Sequence, residues 1–499
     1  MTSLYDLIVE AGSGGIAKKH FLEDARSERV VTYGDMLYTM RAWQAYFHAH
    51  GFENHYSVVV DVSDPLTFGL THLSVLALGL CSIPVNPEGP NHEIERIVGE
   101  ANTVRWVISD RETDRGTIGT VWVVSPRVIE ELLPTESAKR GGSGSVILYT
   151  SGSTGVPKGV LMSERQLMFV AGQVAMHHRL VETDRGYNSL PLFHINAEVV
   201  GLLATLTARS TLILDRRFHK QDFWELMHER QVTWINAVPA IMAILARETS
   251  LDLPPTLRFI RSASAMLPDI LTESFNKTRV VISWGMTEAA SQITATPLDQ
   301  PLRRGSVGVP VGSEVQARGD TGIVLSAGES GMLWIRGEGI VKSYLAGRAA
   351  DSFDTDGWLR TGDIGRIDTD GYVYLLGRSD DVINRGGEKL YPIEIENVVL
   401  QDDMVREVIV VSGDDDVLGH VPIAYVISTD ENMTDKRAVI MQHRLRVLCD
   451  QELPRFKRPS KIFIMRDLPR APTGKVKRAQ LRQMASDKTL FGRFEALAS

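Results

Sequence analysis

The chain has 499 residues, 43% hydrophobic and 23% charged, the proportions of an ordinary globular protein long enough for two or three domains. Its formal net charge of −8 argues against the concentrated basic surface that a phosphate-backbone binder needs, so no nucleic-acid partner is expected. Two distant cysteines, Cys81 and Cys449, do not make a disulfide framework or a thiol-rich metal site; they read as buried free thiols in a reducing compartment.

The first residues carry no charged leader followed by an apolar run. The apolar stretch Val199–Leu206 falls short of the about 20 residues that cross a bilayer. A cytoplasmic protein with no membrane span is expected. Strand runs at Ser57–Val62, Cys81–Val85, Val104–Ile108 and Val121–Val124 alternate with helical periodicity, first over Pro65–Leu80. The theme returns with a strand at Ser210–Leu214, a helix at Gln221–Arg230 and a strand at Val232–Ile235. Such alternation predicts an α/β fold of mostly parallel sheets flanked by helices.

The polar stretch 136–145 reads as a loop, because a strong motif follows it. From Trp358 the pattern changes to short strands, with Asp368–Gly371 as a hairpin turn. A helix over Tyr391–Leu400 and strands over Val405–Val411 and Val421–Ile427 then predict a small α+β unit. The adjacent histidines His177 and His178 read as a solvated face rather than a metal pair.

The strongest local signal is an apolar strand that runs from Val146 into a loop of hydroxyls and glycines. Thr150, Ser151, Ser153 and Thr154 supply hydroxyls, Gly152 and Gly155 permit close backbone approach, and Lys158 adds a cation. Exposed amides, hydroxyls and a cation together suit a triphosphate. The lysine spacing is not that of the nucleotide-kinase loop.

Tyr149 to Gly159 resembles the signature of the adenylate-forming superfamily, which includes acyl-CoA synthetases, peptide-synthetase adenylation domains and firefly-type luciferases. Further motifs match in order over most of the chain. The resemblance implies a large N-terminal domain with a β-subdomain, placed here at 1–379, and a small mobile C-terminal domain at 380–499, with Asp380 as the hinge. It also implies ATP, Mg²⁺ and coenzyme A as co-substrates or cofactors.

Trp284, Gly285, Met286, Thr287 and Glu288 form the second element. Glu288 is a hard oxygen ligand suited to Mg²⁺, and Thr287 can hydrogen-bond a phosphate. By resemblance Trp284 stacks on adenine where the family usually has Tyr, and Ser262, Ala263 and Ser264 line the adenine pocket. In the third element Asp363 can accept both ribose hydroxyls, and Arg378 resembles the arginine that also contacts the ribose. In the fourth, Lys475 matches the lysine inserted for adenylation, where its charge offsets repulsion between carboxylate and α-phosphate. Acetylation there would remove that charge.

The acyl pocket is expected around His194, Asn196, Asn236, Val238, Gly285, Met286 and Gly308, with His194 as gate and catalytic residue beside Thr287, Glu288 and Lys475. The run Phe193-His194-Ile195-Asn196 lacks the Asp of amino-acid-activating relatives and most resembles carnitine-type and fatty-acid-type CoA ligases. Small and apolar walls lead us to expect an acid neutral apart from its carboxylate. Gly386 and Gly387 resemble the loop that lines the pantetheine tunnel, and Phe456 and Arg458 resemble a nucleotide-recognition loop for CoA.

The leading expectation is an AMP-forming acid–CoA ligase. The second is a stand-alone adenylation enzyme that loads an acyl or peptidyl carrier protein or forms an amide. A luciferase-like oxygenase and a non-catalytic nucleotide binder are the others.

Overall fold

The computed structural model describes every residue except 1, 54, 112–116, 119–120, 131, 133–141, 151–157, 248–251, 346–349, 431, 471–475 and 487–499. Its described residues fall into two compact units. One comprises Met1–Leu267, Leu271–Val315 and Ile335–Arg360, the other Pro268–Ile270, Gln316–Trp334 and Thr361–Ser499.

The first unit holds two large sheets. A seven-stranded sheet has five parallel central strands, among them Ser57–Asp61, Cys81–Pro84 and Val104–Ser109, with an antiparallel strand at each edge. A nine-stranded sheet has a parallel centre that includes Thr211–Leu214, Arg185–Asn188, Trp234–Ala237, Phe259–Ser262 and Arg279–Trp284. Helices cover these strands, and that is why the strands read as continuous apolar runs rather than alternating ones. Val58, Val59 and Val60 are all fully buried.

Several predicted elements start or stop at local chemistry. The helix Pro65–Ala77 begins at the Asp64 cap, whose carboxylate accepts from Thr67 N at 3.0 Å. It ends three residues before the expected Leu80, at a turn where Gly79 takes φ +86°. The helix expected from Gln221 starts at Phe223, because Asp222 is left-handed. The strand expected at Val232 starts at Trp234, because Val232 N is already bonded to Met227 O at the end of that helix. The apolar run near residue 200 is a buried π-helix, Ala197–Leu203, continued by Ala204–Thr207. Among the described residues no helix is long and apolar enough to cross a membrane.

His177 and His178 are not a solvated face. His178 is fully buried, edge-on to the Phe259 ring at 5.3 Å, and its burial pushes its pKa well down. The solvated residue of that helix end is Met176.

In the second unit the expected hairpin is present. Leu359–Ile367 pairs antiparallel with Val373–Arg378 around the 368–371 turn, with Asp363 and Arg378 as register partners. A five-stranded sheet is built on the long antiparallel pair Val405–Asp415 and Gly419–Ser428, to which Lys461–Met465 adds in parallel. The helices Pro392–Val399 and Asp435–Glu452 pack on it through Ile395, Val399, Met441, Leu445 and Cys449. Cys449 is a buried free thiol, pushed up to about 11 by that burial; Cys81 is free and half-buried.

Candidate active site

Four adjacent parallel strands of the nine-stranded sheet, Arg185–Asn188, Trp234–Ala237, Phe259–Ser262 and Arg279–Trp284, run in the same direction. Their carboxyl ends lead directly into the predicted segments: residues 190–197, Val238, Ser262–Ser264 and Trp284–Met286. The outer end of parallel strands is where open α/β sheets bind ligands. Residues up to 100 positions apart in sequence thus share one edge.

Asn236 is buried and donates through Nδ2 to Asn188 Oδ1 at 3.0 Å and Asn196 Oδ1 at 3.4 Å. Asn196 donates in turn to Ser264 Oγ at 3.3 Å. Ser264 is exposed and left-handed at φ +74°, while Ser262 Oγ is buried with no hydrogen-bond partner among the described residues. Val238, Met286 and His194 are half-buried; the His194 ring lies 4.4 Å from that of Phe193. Trp284 is buried at its strand end. The two pocket glycines have backbone reasons. A Cβ at Gly285 would sit 1.4 Å from Ser291 O, and one at Gly308, which has φ +88°, would sit 2.0 Å from Ala295 C.

One residue among these walls departs from the expected neutrality. Arg261, on the strand Phe259–Ser262, is fully buried. Its Nη1 donates to Asn196 Oδ1 at 2.8 Å and Asn236 Oδ1 at 3.1 Å, its Nη2 to Ser283 Oγ at 3.1 Å and its Nε to Gln292 Oε1 at 3.4 Å. All four acceptors are neutral. Burial lowers its pKa to about 9, so it remains a cation at neutral pH.

A second buried group anchors the pocket from behind. Glu198 Oε1 lies 3.0 Å from His72 Nε2, and His72 Nδ1 lies 2.8 Å from Ser82 Oγ, with all three residues fully buried. This chain pins the π-helix that starts directly after Asn196.

Glu288 lies in the 3₁₀ turn Thr287–Ala289, half-buried, with Oε1 accepting from Tyr344 OH at 2.7 Å. The turn is held by Val341 N donating to Glu288 O at 2.9 Å. A cavity of about 490 Å³ reaches Tyr344 and is lined also by Ser163, Arg165, Gln166 and Lys342. One of its walls is the strand Lys158–Ser163, which follows the phosphate loop. Thr150 and Lys158 are register partners at the mouth of that loop. Ser151, Gly152, Ser153, Thr154 and Gly155 lie outside the described residues. Glu288 keeps its second carboxylate oxygen for another ligand, which fits Mg²⁺, an ion commonly held by one or two carboxylates plus substrate phosphates.

In the second unit Arg378 Nη1 donates to Asp363 Oδ1 at 3.1 Å and to Thr361 O at 3.0 Å, and Asp363 N donates to Thr361 Oγ1 at 3.0 Å. The predicted ribose pair is therefore in direct contact. Asp380 is exposed in the turn Ser379–Asp381, its carbonyl accepting from Arg482 at 3.0 Å. Gly386 and Gly387, at φ +59° and +96°, form the two-residue turn of a hairpin. Arg385, beside them, donates to Phe456 O at 2.9 Å and Arg458 O at 3.1 Å, so the two segments predicted for CoA are tied together. The Arg458 guanidinium itself bonds Leu453 O at 2.9 Å, Asp450 O at 2.7 Å and Asp450 Oδ1 at 3.0 Å, at the end of the helix Asp435–Glu452. Phe456 packs half-buried against the core of this unit. Lys475 lies outside the described residues; the segment that contains it is flanked by a bridge between Arg470 and Val476.

Sequence reasoning missed Arg261, Glu198, His72 and Tyr344. For Arg261 a signal existed: a charge inside the apolar run Phe259–Ser262 of a parallel strand is costly unless it has a use.

Residues 16–345 match the family model described as AMP-binding enzyme, and residues 394–475 match that of the AMP-binding enzyme C-terminal domain. Among curated relatives, a sulfoacetate–CoA ligase of Cupriavidus necator is 37% identical over 68% of this chain and 66% of its own length. An oxalate–CoA ligase of Arabidopsis thaliana is 34% identical over 71% of this chain and 70% of its own. The match thus spans just under two thirds of the first of these relatives. Among solved structures, o-succinylbenzoate CoA synthetase of Bacillus subtilis, in complex with its acyl-adenylate intermediate, superposes with a TM-score of 0.83 at 26% identity over 96% of this chain and 98% of that one. With the family match spanning the strand-end cluster and Glu288, the chain belongs to the AMP-binding enzyme family.

Proposed function

We propose that this chain is an ATP-dependent carboxylic acid–CoA ligase of the AMP-forming kind. The observation that carries this reading is Glu288: a carboxylate with one oxygen held by Tyr344 and the other without a partner among the described residues, just past the carboxyl end of the strand Arg279–Trp284. A carboxylate oxygen of the acid attacks the ATP α-phosphorus, the bond from that phosphorus to the bridging oxygen breaks, and pyrophosphate leaves with the electron pair. The CoA thiol, losing its proton, then attacks the acyl carbon and AMP departs. No protein nucleophile is required, so positioning and charge neutralisation carry both steps.

In this reading the loop from Thr150 to Lys158 binds the triphosphate and Trp284 stacks on adenine. Asp363, held at Oδ1 by Arg378, accepts from the ribose hydroxyls. Mg²⁺ on Glu288 supplies charge neutralisation of the phosphates when bound. Lys475 bridges carboxylate and α-phosphate, Asp380 is the hinge of a domain boundary at residues 379–380, and His194 gates the acyl pocket. The Gly386–Gly387 hairpin and Phe456 meet CoA. We place the reaction in the cytoplasm, in keeping with the two free cysteines. Sulfoacetate, oxalate and o-succinylbenzoate, named for the relatives above, are each doubly acidic compounds, and they belong in any first substrate panel.

The test is pyrophosphate release with ATP, Mg²⁺ and a panel of acids, with and without CoA. Acid-dependent release with an acyl-CoA product supports the reading. Release indifferent to CoA, leaving acyl-adenylate, favours transfer to a carrier protein or an amine. One observation favours that second reading: Arg458, expected at the CoA phosphates, has its guanidinium committed to the end of the helix Asp435–Glu452.

A further inference from the structure

Arg261 carries a full positive charge in the interior of the strand-end cluster, and none of its hydrogen-bond partners is anionic. Among the described residues it forms no ion pair with a carboxylate. Buried charges in proteins are ordinarily paired, because the loss of hydration costs more than neutral acceptors return. Glu198, which follows the pocket segment in sequence, is held by His72 rather than by Arg261.

The geometry also leads outward. Arg261 bonds Asn196, and Asn196 bonds Ser264, which is exposed at the end of the same strand. Asn196 and Asn236 belong to the expected acyl pocket and both spend their amide oxygens on Arg261. Asn236 has both Nδ2 hydrogens committed, to Asn188 and Asn196, while Asn196 spends one on Ser264 and keeps the other for an incoming anion. A fixed guanidinium with one Nη2 hydrogen left, beside the oriented Asn196 amide, suits a planar or tetrahedral oxyanion.

We propose that Arg261 determines acid specificity: it supplies the counter-charge for a second anionic group, carboxylate or sulfonate, on the acid that is activated. This rests on the ligase reading above and replaces the expectation of an otherwise neutral acid. The carboxylate to be adenylated keeps its path to ATP, while the second group stays unactivated against the Arg261–Asn196–Asn236 cluster.

The experiment measures acid-dependent pyrophosphate release by the full chain with matched pairs: sulfoacetate against propionate, and succinate against butyrate. The wild-type protein is expected to favour the doubly acidic member by tenfold or more in kcat/KM. Arg261→Met is expected to reduce that ratio at least tenfold, mainly through a higher KM for the doubly acidic acid. A wild-type preference for singly acidic acids overturns the proposal, and so does an Arg261→Met protein that loses both members equally. If Arg261→Met does not fold, the wild-type ratios alone decide. If no acid of either kind releases pyrophosphate, the ligase reading itself falls, an outcome distinct from activity confined to singly acidic acids.

Discussion

Two arginines, one in each unit, are held in opposite ways. Arg378 has half of its side chain in solvent and meets a carboxylate, Asp363, at 3.1 Å. Arg261 has none of its side chain in solvent and meets only neutral oxygens. An exposed pair is already neutralised, so it presents a shaped acceptor to neutral hydroxyls at little electrostatic cost. A buried cation without a partner is held at a cost to folding, and the fold keeps it only if something else returns that energy. On the reading proposed above, the first arrangement offers an acceptor to the ribose and the second a counter-charge to an anion.

The comparison breaks most visibly at Asp363. Asp363→Ala removes the proposed acceptor of the ribose hydroxyls and leaves Arg378 without its anion. Loss of hydrogen bonds to a charged group costs about 2 kcal/mol, which is roughly a thirtyfold rise in the KM for ATP. The ratio between doubly and singly acidic acids should not follow. A steady-state titration of ATP at saturating acid reads the first effect, and an acid panel at saturating ATP the second. If Asp363→Ala changes acid preference as much as ATP binding, the two arginines do not divide the work.

A smaller effect separates them by geometry. Arg378 makes both of its contacts through a single nitrogen, Nη1. Arg261 uses Nη1, Nη2 and Nε to reach acceptors on four residues. Lysine is a point charge with three donors at one atom, so it can stand in for the first arrangement and not the second. Arg378→Lys should raise the ATP KM about threefold, against roughly tenfold loss of the doubly acidic preference in Arg261→Lys, given the about 1.5–3 kcal/mol of charged hydrogen bonding at stake. Equal effects would mean that charge alone matters at both places.

The same contrast explains what could be read from the sequence. Asp363 and Arg378 face each other because the Asp368–Gly371 turn sets the register of two neighbouring strands. That is local information, so the hairpin that brings the two residues together was legible, whereas the hydroxyl-rich loop falls on 151–157, outside the described residues. The parallel α/β class was legible for the same kind of reason: runs such as Val58-Val59-Val60 need cover on both faces. Arg261 is buried because the strands Trp234–Ala237 and Arg279–Trp284 flank it and because residue 196 arrives from 65 positions away. His178 is buried for a similar reason, by Phe259 from a distant strand. For His178 nothing in the immediate neighbours reports this, whereas for Arg261 the apolar run around it does signal burial but not the residues that meet it. Element ends were displaced where one residue's backbone decided the matter, as at the left-handed Asp222 before the helix Phe223–Glu229.

The finest test uses protons. Burial holds Arg261 down to about 9, so its charge is present below that pH and is lost as pH rises through it. The neighbouring groups do not confuse the reading. His178 is pushed well down by its own burial and His177 is lowered as well, so both are neutral from pH 7 upward. Arg258 is paired with Asp184 at 2.9 Å. A sulfonate stays anionic over the whole range, so with sulfoacetate the second group of the substrate does not titrate. The kcat/KM ratio of sulfoacetate to propionate, measured by pyrophosphate release without CoA to avoid the thiol, should be level between pH 7 and about 8. It should fall several-fold by about pH 10, as the cation that faces the sulfonate disappears. In Arg261→Met the ratio starts low and stays flat. A wild-type ratio that is also flat to pH 10 would mean that the sulfonate does not depend on the Arg261 charge, and the contrast between the two arginines would then be one of burial alone.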